Sequence, residues 1–356
     1  MTAVPLGAVA AFGLPGAPTG AIDLDATLLR DLTVERQTGT AWAAVEAGRL
    51  DGPADLLDEL AARHARALTV TLVLDRLLVR MHAVLGAAGV PVRLLKGPAL
   101  ARQVYPAVEW RTWGDVDLLG PTEAFAQARS ALAAAGLRPS FDEPRPGFDA
   151  RFGKGTCYLT PGGLGIDLHR SFAAGAFGLL LPVAELWTDG GTCEIAGVSV
   201  ATLDPESQLL HAAFHAVLGD ARPWLTPRRD LAQLAQVADV GTAIERAERW
   251  HAGAVLARAV RSARSELRVG MHPLLDEWSD RRVESRRERS RLAAYEGTAR
   301  SYARQVVSGV RALPARDRAA FAGSLLFPTR AYLAQREMSY WRRAGRAARL
   351  TRKDRG

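Results

Sequence analysis

Alternating acidic and apolar residues mark the stretch of the sequence with the clearest chemistry. In the segment DVDLL, Asp115 and Asp117 alternate with apolar residues, as in a strand that buries one face. The two carboxylates therefore share a face, where they repel each other unless a cation lies between them. Carboxylate oxygens are hard ligands that suit Mg²⁺ or Mn²⁺. The spacing predicts a divalent-metal site, and the alternative is a solvated strand end beside a turn.

A second stretch, GIDLH, has the same alternation. Asp167 and His169 share one face, and Ile166 and Leu168 share the other. If this strand pairs beside the first, Asp167 supplies a third carboxylate, and three carboxylates on adjacent strands can hold two divalent ions for phosphoryl transfer. His169 either orders the site, acts on a substrate hydroxyl, or is bonded locally.

A glycine turn precedes the first acidic pair. A short apolar strand ends at Lys96-Gly97, and Pro98 is well placed as the first residue of a helix. Gly97 either permits a tight turn or lets backbone N–H groups approach a phosphate. Lys96 is either a phosphate ligand or a surface lysine. Arg111 either clamps a phosphate in a bidentate manner or tethers its loop to Asp115.

These pieces, in their order along the chain, resemble a known family. LLKGPALARQVYP, then Arg111 and DVDLL, then IDLH are similar to the uncharacterised nucleotidyltransferase family of the polymerase-β-like superfamily. The resemblance covers roughly residues 70–335 and includes LLFPTRAYL near the end. One position departs from the broader superfamily, because its usual Gly-Ser pair before the helix is Lys96-Gly97 here.

The resemblance implies an activity and roles for the site residues. The activity is Mg²⁺-dependent transfer of a nucleoside monophosphate from an NTP to an acceptor hydroxyl or similar group, with release of pyrophosphate. Asp115 and Asp117 would bind both ions, and Asp167 would bind the catalytic ion and help to activate the acceptor. The glycine turn and Lys96 would hold the donor phosphates. The acceptor, a small molecule, a peptide or a protein, is not named by the family.

Composition and periodicity predict the architecture. A chain of 356 residues that is 48% hydrophobic can bury a large core, and its abundant Ala, Leu and Arg favour helix. The abundance of Ala, Gly and Arg suggests a bacterial genome rich in GC. We expect an α+β fold in which a small mixed β-sheet lies between helical segments. The predicted divisions are a loose leader (1–25), an N-terminal helical segment (26–89), the catalytic core (90–203), a C-terminal helical domain (204–345) and a basic tail (346–356). Residues at helical spacing predict one apolar helix face: Val70, Leu74, Leu77, Leu78 and Met81.

Charge and cysteine usage indicate which binding partners and which cellular compartment suit the protein. A net charge of +8 and a pI near 10.0 suit nucleic acid, nucleotide phosphates or an anionic membrane surface. Much of the charge lies at the C-terminus without a nucleic-acid-binding motif, so nucleic acid is not the favoured partner. Cys157 and Cys193 suggest neither zinc nor a disulfide framework, which favours a reducing cytoplasm. The N-terminus lacks the basic region of a signal peptide, and no run of residues predicts a membrane span.

Three other functions stay open from the sequence. A binding or partner protein that kept the fold and lost turnover is favoured by the missing Gly-Ser pair and disfavoured by the intact carboxylates. An RNA-directed enzyme would use the basic helices. A glycosyltransferase is weaker, since its Asp-x-Asp would follow a larger αβ unit. His211 and His215 have zinc-like helical spacing, but the sequence favours packing of their helix because no third ligand is evident.

Overall fold

The structure, a computed structural model, describes residues 4–219, 225–296 and 302–335. Its α-helices are α1 (Val4–Ala11), α2 (Ala26–Val34), α3 (Thr38–Glu46), α4 (Ala54–Ala87), α5 (Gly97–Gln103), α6 (Phe125–Ala134), α7 (Phe148–Arg151), α8 (Gly175–Leu180), α9 (Pro205–Leu218), α10 (Leu225–Leu234), α11 (Val240–Arg249), α12 (Gly253–Leu267), α13 (Pro273–Arg281), α14 (Arg286–Leu292), α15 (Tyr302–Ala312), α16 (Ala315–Leu326) and α17 (Arg330–Gln335). Short 3₁₀ turns occur at Val108–Trp110, Thr122–Ala124, Val183–Trp187 and Ala293–Tyr295.

The strands form one small pair and one mixed sheet. They are β1 (Ile22–Asp23), β2 (Leu50–Asp51), β3 (Arg93–Leu95), β4 (Val116–Leu119), β5 (Arg138–Pro139), β6 (Gly155–Leu159), β7 (Gly165–His169), β8 (Gly191–Ile195) and β9 (Val198–Thr202). β1 and β2 pair in parallel, and the other seven follow the order β5-β6-β7-β4-β3-β9-β8. β3 runs parallel to β9, whereas the β5/β6, β6/β7 and β8/β9 pairs are antiparallel. The predicted α+β class with a mixed sheet is confirmed.

The strand that carries Asp167 and His169, β7, forms an antiparallel hairpin with β6. β6 and β7 pair over five residues each, with Cys157 opposite Asp167 and Gly155 opposite His169. Residues that lie directly opposite in an antiparallel pair share a face of the sheet. Ile166 and Leu168 are fully buried, as the alternation predicts. The hairpin therefore presents Asp167 and His169 together on the face away from these two apolar side chains.

The first residues of the chain are not the loose leader that the sequence suggests. α1 buries Leu6 and Val9, and a methyl group added to Gly7 would lie 2.3 Å from the carbonyl oxygen of Glu266 on α12. Arg229 Nη2 donates to the carbonyl oxygen of Phe12 at 2.8 Å, just past the end of this helix. The sequence signal is misleading because a helix that is apolar on all sides has no amphipathic periodicity, yet such helices are typically buried.

One residue of the predicted apolar face lies outside the core. Leu74, Leu78 and Met81 of α4 are fully buried, but Val70 is 42% exposed, close to the exposed Leu72. Position in a periodic pattern fixes the direction of a side chain along a helix, but not how far a neighbouring element extends over it. Val70 is therefore the exposed one of the five predicted positions, and the other four are buried.

The chain forms two compact units. The first comprises the described parts of residues 1–83, 92–118 and 184–283, and the second those of 84–91, 119–183 and 284–356. Trp250 and Phe214 are among the buried aromatic residues of the first unit. In the second unit Phe152, Phe321 and Leu325 form a buried cluster. Apart from the leader, the predicted division into an N-terminal helical segment, a catalytic core, a C-terminal helical domain and a basic tail stays a prediction, and the basic tail lies outside the described residues.

None of the helices in the described ranges has both the length and the apolar character that a membrane crossing requires.

Candidate active site

The turn between β3 and α5 has an unusual backbone. Lys96 has φ 33° and ψ −148°, and Gly97 follows with φ 39°. Glycine adopts positive φ readily, whereas a lysine does so at a cost in free energy. Trp113 closes one side of the turn, since a methyl group added to Gly97 would lie 3.4 Å from its Cβ. The Trp113 indole N–H is buried and has no hydrogen-bond partner in the part of the chain that the structure describes.

This turn places a lysine ammonium against the predicted carboxylate pair. Lys96 Nζ lies 3.0 Å from Asp117 Oδ2 and 3.8 Å from Asp115 Oδ2. Both carboxylates thus face the same cation, as expected for residues on one face of a strand. Their environments differ, however, because the side chain of Asp117 is 2% exposed and that of Asp115 is 37% exposed. Asp117 lies in β4 and Asp115 directly precedes it.

The end of β4 lies beside β7 through a backbone hydrogen bond. The N–H of Gly120 donates to the carbonyl oxygen of His169 at 2.9 Å. One potential ligand atom from each of Asp117, Asp167 and His169 lies within 4.8 Å of the other two. Two carboxylates and an imidazole form a donor set that suits a divalent transition metal such as Mn²⁺, and the carboxylates alone suit Mg²⁺. The structure therefore brings together residues from both of the predicted acidic stretches.

Arg111, in contrast, forms an ion pair with Asp230, a residue distant in the sequence. Its Nε and Nη2 donate to the two carboxylate oxygens of Asp230 at 2.9 and 3.0 Å, and its Nη1 donates to the carbonyl oxygen of Thr112 at 2.5 Å. The Tyr105 hydroxyl also donates to Asp230, at 2.7 Å. Burial lowers the pKa of Arg111, but the charge and hydrogen bonds of Asp230 outweigh it and hold the pKa above its usual range. Of the two roles that the sequence leaves open for Arg111, the phosphate clamp would therefore require this ion pair to open.

Two residues near the site, Asp230 and Arg36, were not predicted from the sequence. Asp230 lies in α10, 119 residues from Arg111, and no local pattern signals a pairing over that distance. Arg36 extends over Gly114, the residue before Asp115, so that a methyl group added there would lie 2.8 Å from Arg36 Nη2. Its signal in the sequence was faint: a basic residue directly after a helix, at a position where glycine is common.

The helical histidine pair does not add a metal site. His211 is buried within α9, in line with the predicted packing of that helix. In the described residues, the group of His, Cys, Asp and Glu side chains placed to hold a metal ion is Asp117, Asp167 and His169. The candidate site therefore consists of Lys96, Gly97, Asp115 and these three residues.

Similarity to known proteins is found with one family model and with solved structures. A family model described as "Uncharacterised nucleotidyltransferase" matches residues 25–269, more than half of the chain. No curated protein matches the chain. One similar solved structure is that of the antibiotic-resistance factor ANT(2'')-Ia, with 17% identity and a TM-score of 0.33 over 55% of this chain and 94% of that one. Another is an antigenic nucleotidyltransferase-like protein from Paracoccidioides brasiliensis, with 17% identity and a TM-score of 0.33 over 58% of this chain and 94% of that one. On the match to the family model, the chain belongs to the uncharacterised nucleotidyltransferase family.

Proposed function

We propose that the protein is a Mg²⁺- or Mn²⁺-dependent enzyme that transfers a nucleoside monophosphate from an NTP to an unidentified acceptor. The observation that carries the proposal is the Lys96 ammonium held against Asp115 and Asp117, beside a glycine turn, in a chain of this family. The acceptor is a small molecule, a peptide or a protein. We further propose a cytoplasmic bacterial enzyme in a biosynthetic pathway, on the grounds of composition and cysteine usage.

The donor set fits a divalent ion. Asp117 is buried, and a buried carboxylate needs a compensating positive charge, which Lys96 supplies in this structure. The proximity of Asp117, Asp167 and His169 offers oxygen and imidazole ligands at one place. A bound ion would neutralise the charge that develops on the transferred phosphoryl group.

Each residue has a distinct role in this proposal. Asp117 and Asp167 hold the ion, and Asp167 helps to activate the acceptor. Asp115 is more exposed and completes the site on the donor side. Lys96 exchanges its contact with Asp117 for a phosphate oxygen of the donor, next to the backbone of Gly97. Catalysis then consists mainly of positioning and of neutralising charge.

The proposal is tested by searching for the acceptor directly. The wild-type protein is incubated with each labelled NTP, Mg²⁺ or Mn²⁺ and bacterial extract, and mass spectrometry identifies whatever has gained a nucleotide. Asp167→Asn is nearly isosteric and should lower kcat by ~10²-fold or more while leaving the KM for the donor nearly unchanged. Asp58→Asn, an exposed position on α4, is the matched control and should be fully active. Full activity of Asp167→Asn would refute the role of the carboxylates.

A second candidate is a nucleotide-binding protein without turnover. The observation in its favour is the same Lys96 ammonium, which lies 3.0 Å from Asp117 and so competes with a metal ion for that carboxylate. If the wild-type protein binds NTP but transfers it to no acceptor with either metal, this candidate replaces the enzyme.

A further inference from the structure

Arg36 stands where a glycine would be easier to accommodate. It follows α2 with φ 55°, in the left-handed region. Its N–H donates to the carbonyl oxygen of Thr33 at 3.2 Å, and the next N–H, that of Gln37, donates to the carbonyl oxygen of Leu32 at 2.8 Å. This is the hydrogen-bond pattern of a helix end at which glycine is the usual residue. The backbone conformation disfavours an arginine at this position, so the backbone does not account for the residue type and the side chain must.

The residues on both sides of Arg36 hold it in place. Glu35 is fully buried, and its carboxylate accepts the N–H of Leu225 at 3.0 Å. The Thr226 hydroxyl donates to the carbonyl oxygen of Glu35 at 2.8 Å. On the other side, Gln37 Nε2 donates to the Thr226 hydroxyl at 3.2 Å. The start of α10 thereby anchors the turn, and the direction in which Arg36 leaves the backbone is set.

The guanidinium of Arg36 is exposed and lies beside the residue that precedes Asp115. It extends over Gly114, which is exposed and directly precedes Asp115. In residues 4–219, 225–296 and 302–335 its side chain has no hydrogen bond or ion pair. Arg111 differs from Arg36 in both exposure and pairing, because it is buried and forms an ion pair with Asp230.

We propose that Arg36 binds the phosphate groups of the donor nucleotide, the role that the sequence suggested for Arg111. A guanidinium presents a planar fork of N–H donors that matches phosphate oxygens, and an exposed one is free to take them. Lys96 lies 3.8 Å from the carboxylate of Asp115. Arg36 lies beside Gly114, so the two cations approach neighbouring residues of one segment. This inference rests on the proposed function and names one of its binding residues.

The test uses a substitution that should improve the fold and weaken binding. Arg36→Gly relieves the left-handed backbone, so its Tm should be equal to or above that of the wild type. Its affinity for inorganic triphosphate, measured by calorimetry in the presence of EDTA, should fall about 10-fold or more. Arg36→Lys keeps a charge without the fork and should lie between the two.

A second variant moves the guanidinium without removing it. In Gly114→Ala the new methyl group would lie 2.8 Å from Arg36 Nη2, the flexible end of the side chain, which must move aside. Its affinity for triphosphate should also fall several-fold with little change in Tm. Arg30→Gln removes an exposed charge from α2, the helix that precedes Arg36, and should leave the affinity unchanged.

Either of two results overturns the inference. Unchanged triphosphate affinity in Arg36→Gly would show that the side chain does not bind phosphate, and a large fall in Tm would show that it supports the fold instead. This binding test can fail or succeed independently of the search for an acceptor that tests the proposed function. Loss of triphosphate binding in Arg36→Gly, with no acceptor found for the wild type, supports this inference and removes the enzyme proposal.

Discussion

At Lys96 the backbone conformation lowers the stability of the fold, whereas the charge of the side chain raises it. Lys96 has positive φ, which costs a residue other than glycine about 1–3 kcal/mol. Its ammonium, however, lies 3.0 Å from the buried carboxylate of Asp117, which would be costly to leave uncompensated. The charge of Lys96 therefore offsets the free-energy cost of its backbone conformation.

Comparing two substitutions separates these contributions. Lys96→Gly and Lys96→Met both remove the ammonium, but only glycine relieves the backbone. We expect Lys96→Gly to be more stable than Lys96→Met by about 1–3 kcal/mol in urea unfolding, although it packs less surface. Both should bind nucleotide more weakly than the wild type.

The same pair of substitutions at an ordinary helical position gives the reference. Ser130 is exposed in the middle of α6, where glycine should be less stable than methionine by about 1 kcal/mol. If Lys96→Gly and Lys96→Met show this ordinary order as well, the backbone of Lys96 is not strained.

Residues with local signals were predictable, and those with distant partners were not. The shared face of Asp115 and Asp117 follows from strand alternation, and the structure shows both near one cation. The sequence carries no information on burial, however, so it did not show that Asp117 would be enclosed and Asp115 half exposed. The fate of Arg111 depends on Asp230, which comes close to it only when the chain folds.

Among the elements, α10 is tied to the segment before β4 by a buried charge pair. Arg111 and Asp230 have side chains that are 6% and 2% exposed. Burial and the charge of Asp230 raise the pKa of Tyr105 well above its ordinary value, so its hydroxyl stays protonated and donates to that carboxylate. A pair of this kind is strongly coupled, because the loss of one partner leaves the other charged and buried.

A double-mutant cycle measures that coupling. Arg111→Met should lower the free energy of unfolding by about 3–5 kcal/mol, because Asp230 is left without its cation. Arg111→Met/Asp230→Leu should regain much of this loss, since no charge is then buried. Urea unfolding of the wild type, both single variants and the double variant gives the coupling energy. Strictly additive losses would mean that the two residues act independently.

The short helix α7 carries a carboxylate whose protonation is linked to folding. Burial, followed by the charge of Glu143, raises the pKa of Asp149, although the Thr156 hydroxyl donates to it at 2.7 Å and Arg129 lies 3.4 Å away. The folded protein thus binds this proton more tightly than the unfolded chain. Asp149 consequently makes the protein less stable as pH rises from the unfolded pKa, near 4, to the folded one.

Substitution should remove this part of the pH dependence. Relative to the wild type, Asp149→Asn should gain stability as pH rises from about 4 and level off above the folded pKa. Glu59 provides the opposite sign, because its hydrogen bond from Arg63 lowers its pKa. Glu59→Gln should therefore lose stability relative to the wild type as pH rises towards the unfolded pKa of about 4.5, a window that lies below that of Asp149. Parallel pH profiles for Asp149→Asn and the wild type would contradict the assignment.

Elements with a strong period were predictable. The alternation of GIDLH predicts a strand, and β7 spans these residues. The helix α1 was missed because uniform apolar character has no period, and because the neighbours that bury it, such as Arg229 and Glu266, lie more than two hundred residues away. The order of the seven strands likewise depends on pairings that the sequence does not encode locally.

At the scale of the whole molecule, ligand binding and stability are linked. A ligand that binds only the folded chain stabilises it by RT ln(1 + [L]/Kd), or about 2.7 kcal/mol at one hundred times Kd. In the proposed site the ion and the nucleotide bind together, since the phosphates complete the coordination shell of the ion. The Tm of the intact protein should therefore respond to the two ligands more strongly in combination than to each one alone.

The buried and exposed carboxylates should differ in this response. With Mn²⁺ and NTP together the wild type should gain several degrees in Tm, and Asp117→Asn should lose this gain because its carboxylate is enclosed at the site. Asp115→Asn should lose only part of it, since Asp115 is half exposed and lies farther from Lys96. Asp58→Asn should respond as the wild type does. The measurement is a thermal melt of each variant with neither ligand, with each alone and with both. An Asp117→Asn variant that keeps the full gain would place the ion elsewhere, and a wild type that gains nothing from the combination would mean that no metal–nucleotide site forms.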